Sequence, residues 1–241
     1  MTLFDAMERA SLSSVQARAI PDVPWTWMDV VKATAAVALF VLAVGVAVNV
    51  LLGPARPQPI GLPVLVLAGI ELGLGAVALS FTLGKYRCGP EYLGLHTGPS
   101  PRDLLLVLGV VLTGFLLSAG YFQAVRLLDW SFLLPPSLPS MLRLTGTPVG
   151  VGLVATVLAP LAEEVFFRGF VFRALARKAG VPAGIVLSSL LFAVGHLHPG
   201  AIVPTFLLGL MLAWLYWRTS SLWTTIFAHF AFNLVALAVS L

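Results

Sequence analysis

The chain has 241 residues, of which 59% are hydrophobic and only 10% charged, with a mean hydropathy of +0.99 and a formal net charge of +4. Soluble domains carry roughly 25% charged residues, so this composition excludes one and points to an integral membrane protein. The charge surplus is small and no run of Lys and Arg occurs, which argues for cytoplasmic loop bias and against nucleic-acid binding. A single cysteine, Cys88, excludes an internal disulfide and any multi-cysteine metal site.

Residues 1–28 read as an N-terminal cytoplasmic or interfacial lead, with Asp5, Glu8, Arg9, Arg18 and Asp22 where a signal peptide would have its apolar core. The first span is therefore expected to act as the signal. Trp25 and Trp27, at the end of the lead, suit the membrane–water interface. A crossing helix needs about 20 apolar residues, and apolar runs follow at about 30–53, 61–84, 103–125, 148–172, 182–197, 201–217 and 221–240. They predict an all-α polytopic transmembrane helical bundle of about seven spans. Residues 126–140 are apolar but broken by Pro135, Pro136 and Pro139, and read as an interfacial or re-entrant piece or as an eighth span. The division expected is 1–28 as lead, 29–147 as N-terminal transmembrane helices and 148–241 as the catalytic core. With the N-terminus inside, ten Lys and Arg residues, Arg173 among them, fall on the cytoplasmic side, and three, Arg56, Arg126 and Arg143, fall outside.

The fourth run contains Leu161-Ala-Glu-Glu-Val-Phe-Phe-Arg-Gly169, with Glu163, Glu164 and Arg168 inside apolar flanks. Each ionisable group at a helix centre costs about 3 kcal/mol on insertion scales, so three together need internal partners. Glu164 and Arg168 lie four apart and can pair on one face, while Glu163, rotated by about 100°, is left to face a polar cavity as a general base. Downstream, His196 follows Gly195, which is expected to admit a close helix neighbour, and His198 beside Pro199 reads as interfacial. His229 and Asn233 are four apart in the last run and share a face. Two donors aimed at one point suit an oxyanion site, although the same residues also serve as contacts between spans. Glu71, in the second run, is expected to face the bundle or to snorkel.

Glu163-Glu164-x-x-x-Arg168, Phe192-x-x-x-His196 and His229-x-x-x-Asn233, in this order over roughly 148–240, resemble the motifs of the CPBP family of intramembrane endopeptidases, which includes CAAX prenyl endopeptidases and bacterial Abi proteins. Glu91-Tyr92-Leu93-Gly94-Leu95 is similar to a lead-in common in that family. The resemblance implies a helical bundle in which Glu163 and His196 activate the attacking water, Glu164 and Arg168 support them, and His229 and Asn233 bind the oxyanion. It implies a peptide or a membrane-anchored protein tail as substrate and the inner membrane of a prokaryotic cell as location, with the lipid bilayer as partner and no nucleic acid. No cofactor is required in this reading. Zinc is the alternative, drawing on Glu163, His196 and His229, although no His-Glu-x-x-His helix is present. Two rival classes use the same residues differently. One is a non-catalytic scaffold or bacteriocin self-immunity protein braced by the cluster; the other is a proton-coupled carrier, against which the lack of a visible internal repeat argues.

Overall fold

A computed structural model describes residues 22–53, 61–96, 98–135 and 147–240, and among them it is all-helical. The helices are α1 (Trp27–Leu52), α2 (Leu62–Leu79, continued by a π-helical stretch over Ser80–Lys85), α3 (Pro101–Leu127), α4 (Pro148–Ala179), α5 (Val181–Gly195), α6 (Pro199–Thr219) and α7 (Leu222–Ser240). Six are long and apolar enough to cross a membrane. This is an integral membrane protein. The seventh, α5, has 15 residues, or about 22 Å at 1.5 Å per residue, against a hydrocarbon core of about 30 Å. It is a shorter apolar helix at the position expected for a span.

Local chemistry sets the helix ends. The Asp29 carboxylate accepts from the Thr26 N–H (2.8 Å) and hydroxyl (3.0 Å) and so opens α1. Ser100 and Asp103 bond reciprocally at the start of α3, with Pro101 at the first helical position, where no partner is needed for its missing N–H. His198, read as interfacial, opens α6 by accepting from the Gly200 N–H at 3.1 Å.

Helix α4 lies at the centre and touches α1, α2, α5, α6 and α7. Its Phe166, Phe170 and Phe172 join Trp25, Leu74, Ala78 and Phe192 in the main core. A second cluster fastens α3 to α6 and α7 through Val107, Val110, Leu208, Leu212 and Ala228. Outward leucines such as Leu39, Leu105 and Leu116 are exposed, as lipid-facing positions require. Two stretches of α4 are π-helical, Val154–Leu158 and Glu164–Phe172. The first precedes Pro160, whose ring cannot donate to the Thr156 carbonyl, so a wider turn accommodates it. The second begins at Glu164, and wider turns of this kind reduce the angle between successive side chains.

Three sequence expectations change, and a fourth lies only partly within the described residues. Trp25 is fully buried rather than interfacial, because its indole N–H donates to the Phe170 carbonyl (3.0 Å) and its ring stacks on Phe170; Trp27 alone is exposed. Arg173 is buried inside α4 and not in a cytoplasmic loop, because the helix continues to Ala179. Glycines that admit close neighbours include Gly184, against Ala176, Gly209, against Ser189 and Phe192, and Gly200, against the Leu133 carbonyl; at Gly195 a Cβ would meet only the Phe167 ring edge at 3.8 Å. Of 126–140, the described part shows the end of α3 and a 3₁₀ turn at Ser131–Leu133, and the rest lies outside the described residues.

Candidate active site

The ionic centre of α4 is dry. Glu164 and Arg168 are fully buried, and Arg168 Nη1 donates to Glu164 Oε1 at 2.9 Å, the pairing that their spacing predicts. A second guanidinium nitrogen, Nη2, donates to the Gly209 carbonyl of α6 at 3.2 Å. The guanidinium carbon also lies 4.5 Å from the centre of the Phe192 ring of α5, a cation–π contact. One arginine therefore ties α4 to both α5 and α6 while neutralising one glutamate.

His229 of α7 enters the same centre. Its Nδ1 lies 2.9 Å from Glu164 Oε1, and since a carboxylate accepts, Nδ1 carries a proton. Its Nε2 lies 3.6 Å from Glu163 Oε2, beyond hydrogen-bonding distance, so neither atom is committed to the other. The glutamates do separate, but around a single imidazole: Glu164 holds one ring nitrogen and Glu163 faces the other. Glu163 keeps slight exposure, 13% of its side chain, whereas Glu164 has none.

His196, at the end of α5, is exposed, and its Nδ1–H donates to the Phe192 carbonyl at 2.9 Å. That bond leaves Nε2 as the lone-pair nitrogen of the neutral ring. Phe192 meets both imidazoles edge-on, with centroids 4.9 Å from His196 and 5.7 Å from His229. Asn233 donates its amide to the Ala155 carbonyl of α4 (2.8 Å), so in this arrangement it ties α7 to α4 and does not converge with His229 through that hydrogen. It also lines a cavity of about 450 Å³ bounded by Phe122, Val151, Gly152 and Leu237.

Glu163, His196 and His229, the set that the zinc alternative draws on, are not grouped around one point among the described residues. Among the described residues no three His, Cys, Asp or Glu side chains are grouped to hold a metal, and the two glutamates address opposite nitrogens of His229 rather than one point. Burial, with Glu91 nearby, pushes the Cys88 thiol up, which leaves it a poor nucleophile. Two features of the centre go beyond the motifs, the Gly209 carbonyl and the role of Phe192, which the sequence offers only as part of the Phe192-x-x-x-His196 motif. Gly209 presents a carbonyl that no motif announces among 22 glycines, and Phe192 acts as the shared aromatic neighbour of Arg168, His196 and His229.

Residues 145–235 match the family model of type II CAAX prenyl endopeptidase Rce1-like. Over 81 residues the chain is 32% identical to a Bacillus subtilis (strain 168) protein named "Putative membrane peptidase YdiL", an alignment that covers 34% of this chain and 33% of that protein. The chain thus aligns with about a third of that relative's length. No solved structure matches it. Glu163, Glu164, Arg168, His196, His229 and Asn233 all fall inside the segment that is similar to the Rce1-like family.

Proposed function

We propose that the protein is an intramembrane endopeptidase that hydrolyses a peptide bond in a peptide or a membrane-anchored protein, with residues 148–241 as its catalytic core. The observation that carries this reading is the seating of His229 between two carboxylates inside apolar helices, 2.9 Å from one and 3.6 Å from the other. A structural brace needs only the paired Glu164. The uncommitted Glu163, slightly exposed and facing Nε2 across a gap too long for direct bonding, is what a water-activating site requires.

In this mechanism Glu163 accepts a proton from water as the oxygen attacks the carbonyl carbon, and the Nε2 lone pair of His196 helps orient that water. Glu164 and Arg168 hold His229 in place from the Nδ1 side, and His229 Nε2 with Asn233 supplies donors to the oxyanion. A donor at Nε2 requires the imidazolium form, since Nδ1 already carries a proton toward Glu164. Asn233 has a second amide hydrogen beyond the one given to Ala155. Glu163 then returns its proton to the leaving amine.

The test is Glu163→Gln. Proteolysis by purified protein in liposomes should fall by about 10²–10⁴ while folded yield is kept, the range that a general base supplies. Membrane peptides from cells carrying this variant should retain the uncleaved substrate. A phenotype that survives the substitution in folded protein would establish the scaffold reading instead.

A further inference from the structure

The motif before α3, Glu91-Tyr92-Leu93-Gly94-Leu95, has no task in this mechanism. Its chain forms a 3₁₀ turn over Pro90–Leu93 and leaves it through Gly94 in the left-handed region, at φ +81°. The successive carbonyls of residues 92–95 each accept a hydrogen bond from a later helix. Arg173 of α4 donates to Tyr92, and the Tyr216 hydroxyl of α6 donates to Leu93 at 3.0 Å. The first backbone N–H of α7, at Leu222, donates to Gly94 at 2.9 Å, and the Trp223 indole N–H donates to Leu95 at 2.9 Å. The fit at Gly94 is closed: a Cβ there would meet the Tyr216 hydroxyl at 2.9 Å and the Ser220 carbonyl at 3.2 Å.

The same three helices build the ionic centre. Leu93 packs on Gly169, the residue after Arg168, where a Cβ would meet the leucine Cδ2 at 3.1 Å. Tyr216 follows Gly209, the carbonyl partner of Arg168, by seven residues, and His229 follows Leu222 by seven. Seven residues are nearly two whole turns, about 10 Å of rise, so each pair shares a helix face. Leu222, Thr225, Ile226 and His229 accordingly form one buried face of α7, and a slide or rotation at Leu222 is carried to His229. We infer that Gly94 and Trp223 are positioning residues for His229: bonds to the Gly94 and Leu95 carbonyls fix the height and rotation of α7, and thereby the 3.6 Å gap between His229 Nε2 and Glu163 Oε2. The inference rests on the endopeptidase reading, in which His229 meets the reacting carbonyl oxygen. Backbone carbonyls suit the task, because the Leu222 N–H is one of the first donors of a helix, which the helix cannot satisfy internally, and its bond to Gly94 forms in one register of α7 only. The bonds of His229 to Glu164 and of Asn233 to Ala155 run through rotatable side chains, which can follow α7 as it moves. Arg173 fastens the Tyr92 end, so both bonds to α7 remain when it is removed.

Kinetics of Gly94→Ala and Trp223→Phe, per folded molecule in liposomes, test this. A misplacement of about 1 Å costs about 10²-fold in rate, so Gly94→Ala should lower kcat by that order with KM kept. Trp223→Phe, which keeps an aromatic ring and drops the donor, should lower kcat in the same sense by less. In a His229→Ala background neither change should lower kcat further, because both act through the imidazole. Dipolar NMR distances from the His229 ring nitrogens to the Glu163 carboxyl carbon, on protein in lipid, should change in both variants. An unchanged kcat in folded Trp223→Phe, a loss undiminished in the His229→Ala background, or unmoved NMR distances would overturn the assignment and leave a structural tie. Trp223→Phe decides alone if Gly94→Ala fails to fold. Distances that move in a protein that cleaves nothing would keep the positioning of His229 and remove the peptidase reading.

Discussion

Arg168 and Arg173 sit five residues apart on α4, and both are buried, at 0% and 1% exposure. Their surroundings differ in kind. Arg173 bonds neutral groups: Nε donates to the Tyr216 hydroxyl at 2.5 Å and Nη1 to the Tyr92 carbonyl, while Tyr216 in turn donates to the Leu93 carbonyl at 3.0 Å. It clamps the segment before α3 onto the junction of α4 and α6, and none of those contacts needs a proton to move. Arg168 bonds a carboxylate that also holds an imidazole, which in turn faces a second carboxylate. A buried charge with neutral partners is an anchor. A buried charge whose partners titrate couples structure to protonation, and that is the property hydrolysis uses.

Arg168→Ala should show the contrast most strongly. Breaking a buried pair costs about 3–5 kcal/mol because the remaining charge is stranded, and folded yield and activity should fall together. Unfolding in mixed micelles measures the loss. Adding Glu164→Gln to an Arg168→Met background should regain most of the stability. A loss unrelieved by the second change would mean that Arg168 is an anchor like Arg173.

The contrast explains what was legible in the sequence. Seven apolar runs coincide with seven helices because lipid compatibility is a property of local composition, and the Glu164–Arg168 pair follows from spacing alone. Its neighbour's fate does not. That Glu163 and Glu164 meet opposite nitrogens of His229 depends on where α7 packs and on the wider turns of α4 from Glu164 onward. Arg173 resembles a flanking loop charge until the helix is seen to continue past it. Helix α5 falls short of a crossing length because its apolar run and its 15-residue helix are both below the about 20 residues that a span needs. Glu71 could be placed in a helix, but not on the buried face of α2, without knowing that Gly75 packs on Ala162.

Arg173→Ala sharpens the other side. Hydrogen bonds to a charged group are worth about 1.5–3 kcal/mol, so the variant should lose stability by that order. Turnover per folded molecule should be unchanged. Separating kcat from active-site concentration checks this. A changed rate profile in folded protein would draw Arg173 into the site and erase the distinction.

The smallest effect tests whether neutral anchoring extends to the N-terminal entry. Trp25 donates to the Phe170 carbonyl, two turns or less beyond the glutamates, and stacks on the Phe170 ring with centroids 5.6 Å apart. Trp25→Phe keeps most of the ring contact and removes the donor, so it should cost about 1 kcal/mol, the net worth of one hydrogen bond. Trp27→Phe should cost less, because that ring is 44% exposed and anchors only at the interface. Comparing the two by thermal unfolding in one lipid composition isolates the buried bond. Equal losses would mean that Trp25 contributes by its apolar surface alone, and the chain would then enter α1 held by Asp29 with Lys85 and Tyr86 and by the contacts of Arg177 with Asp22 and Val23.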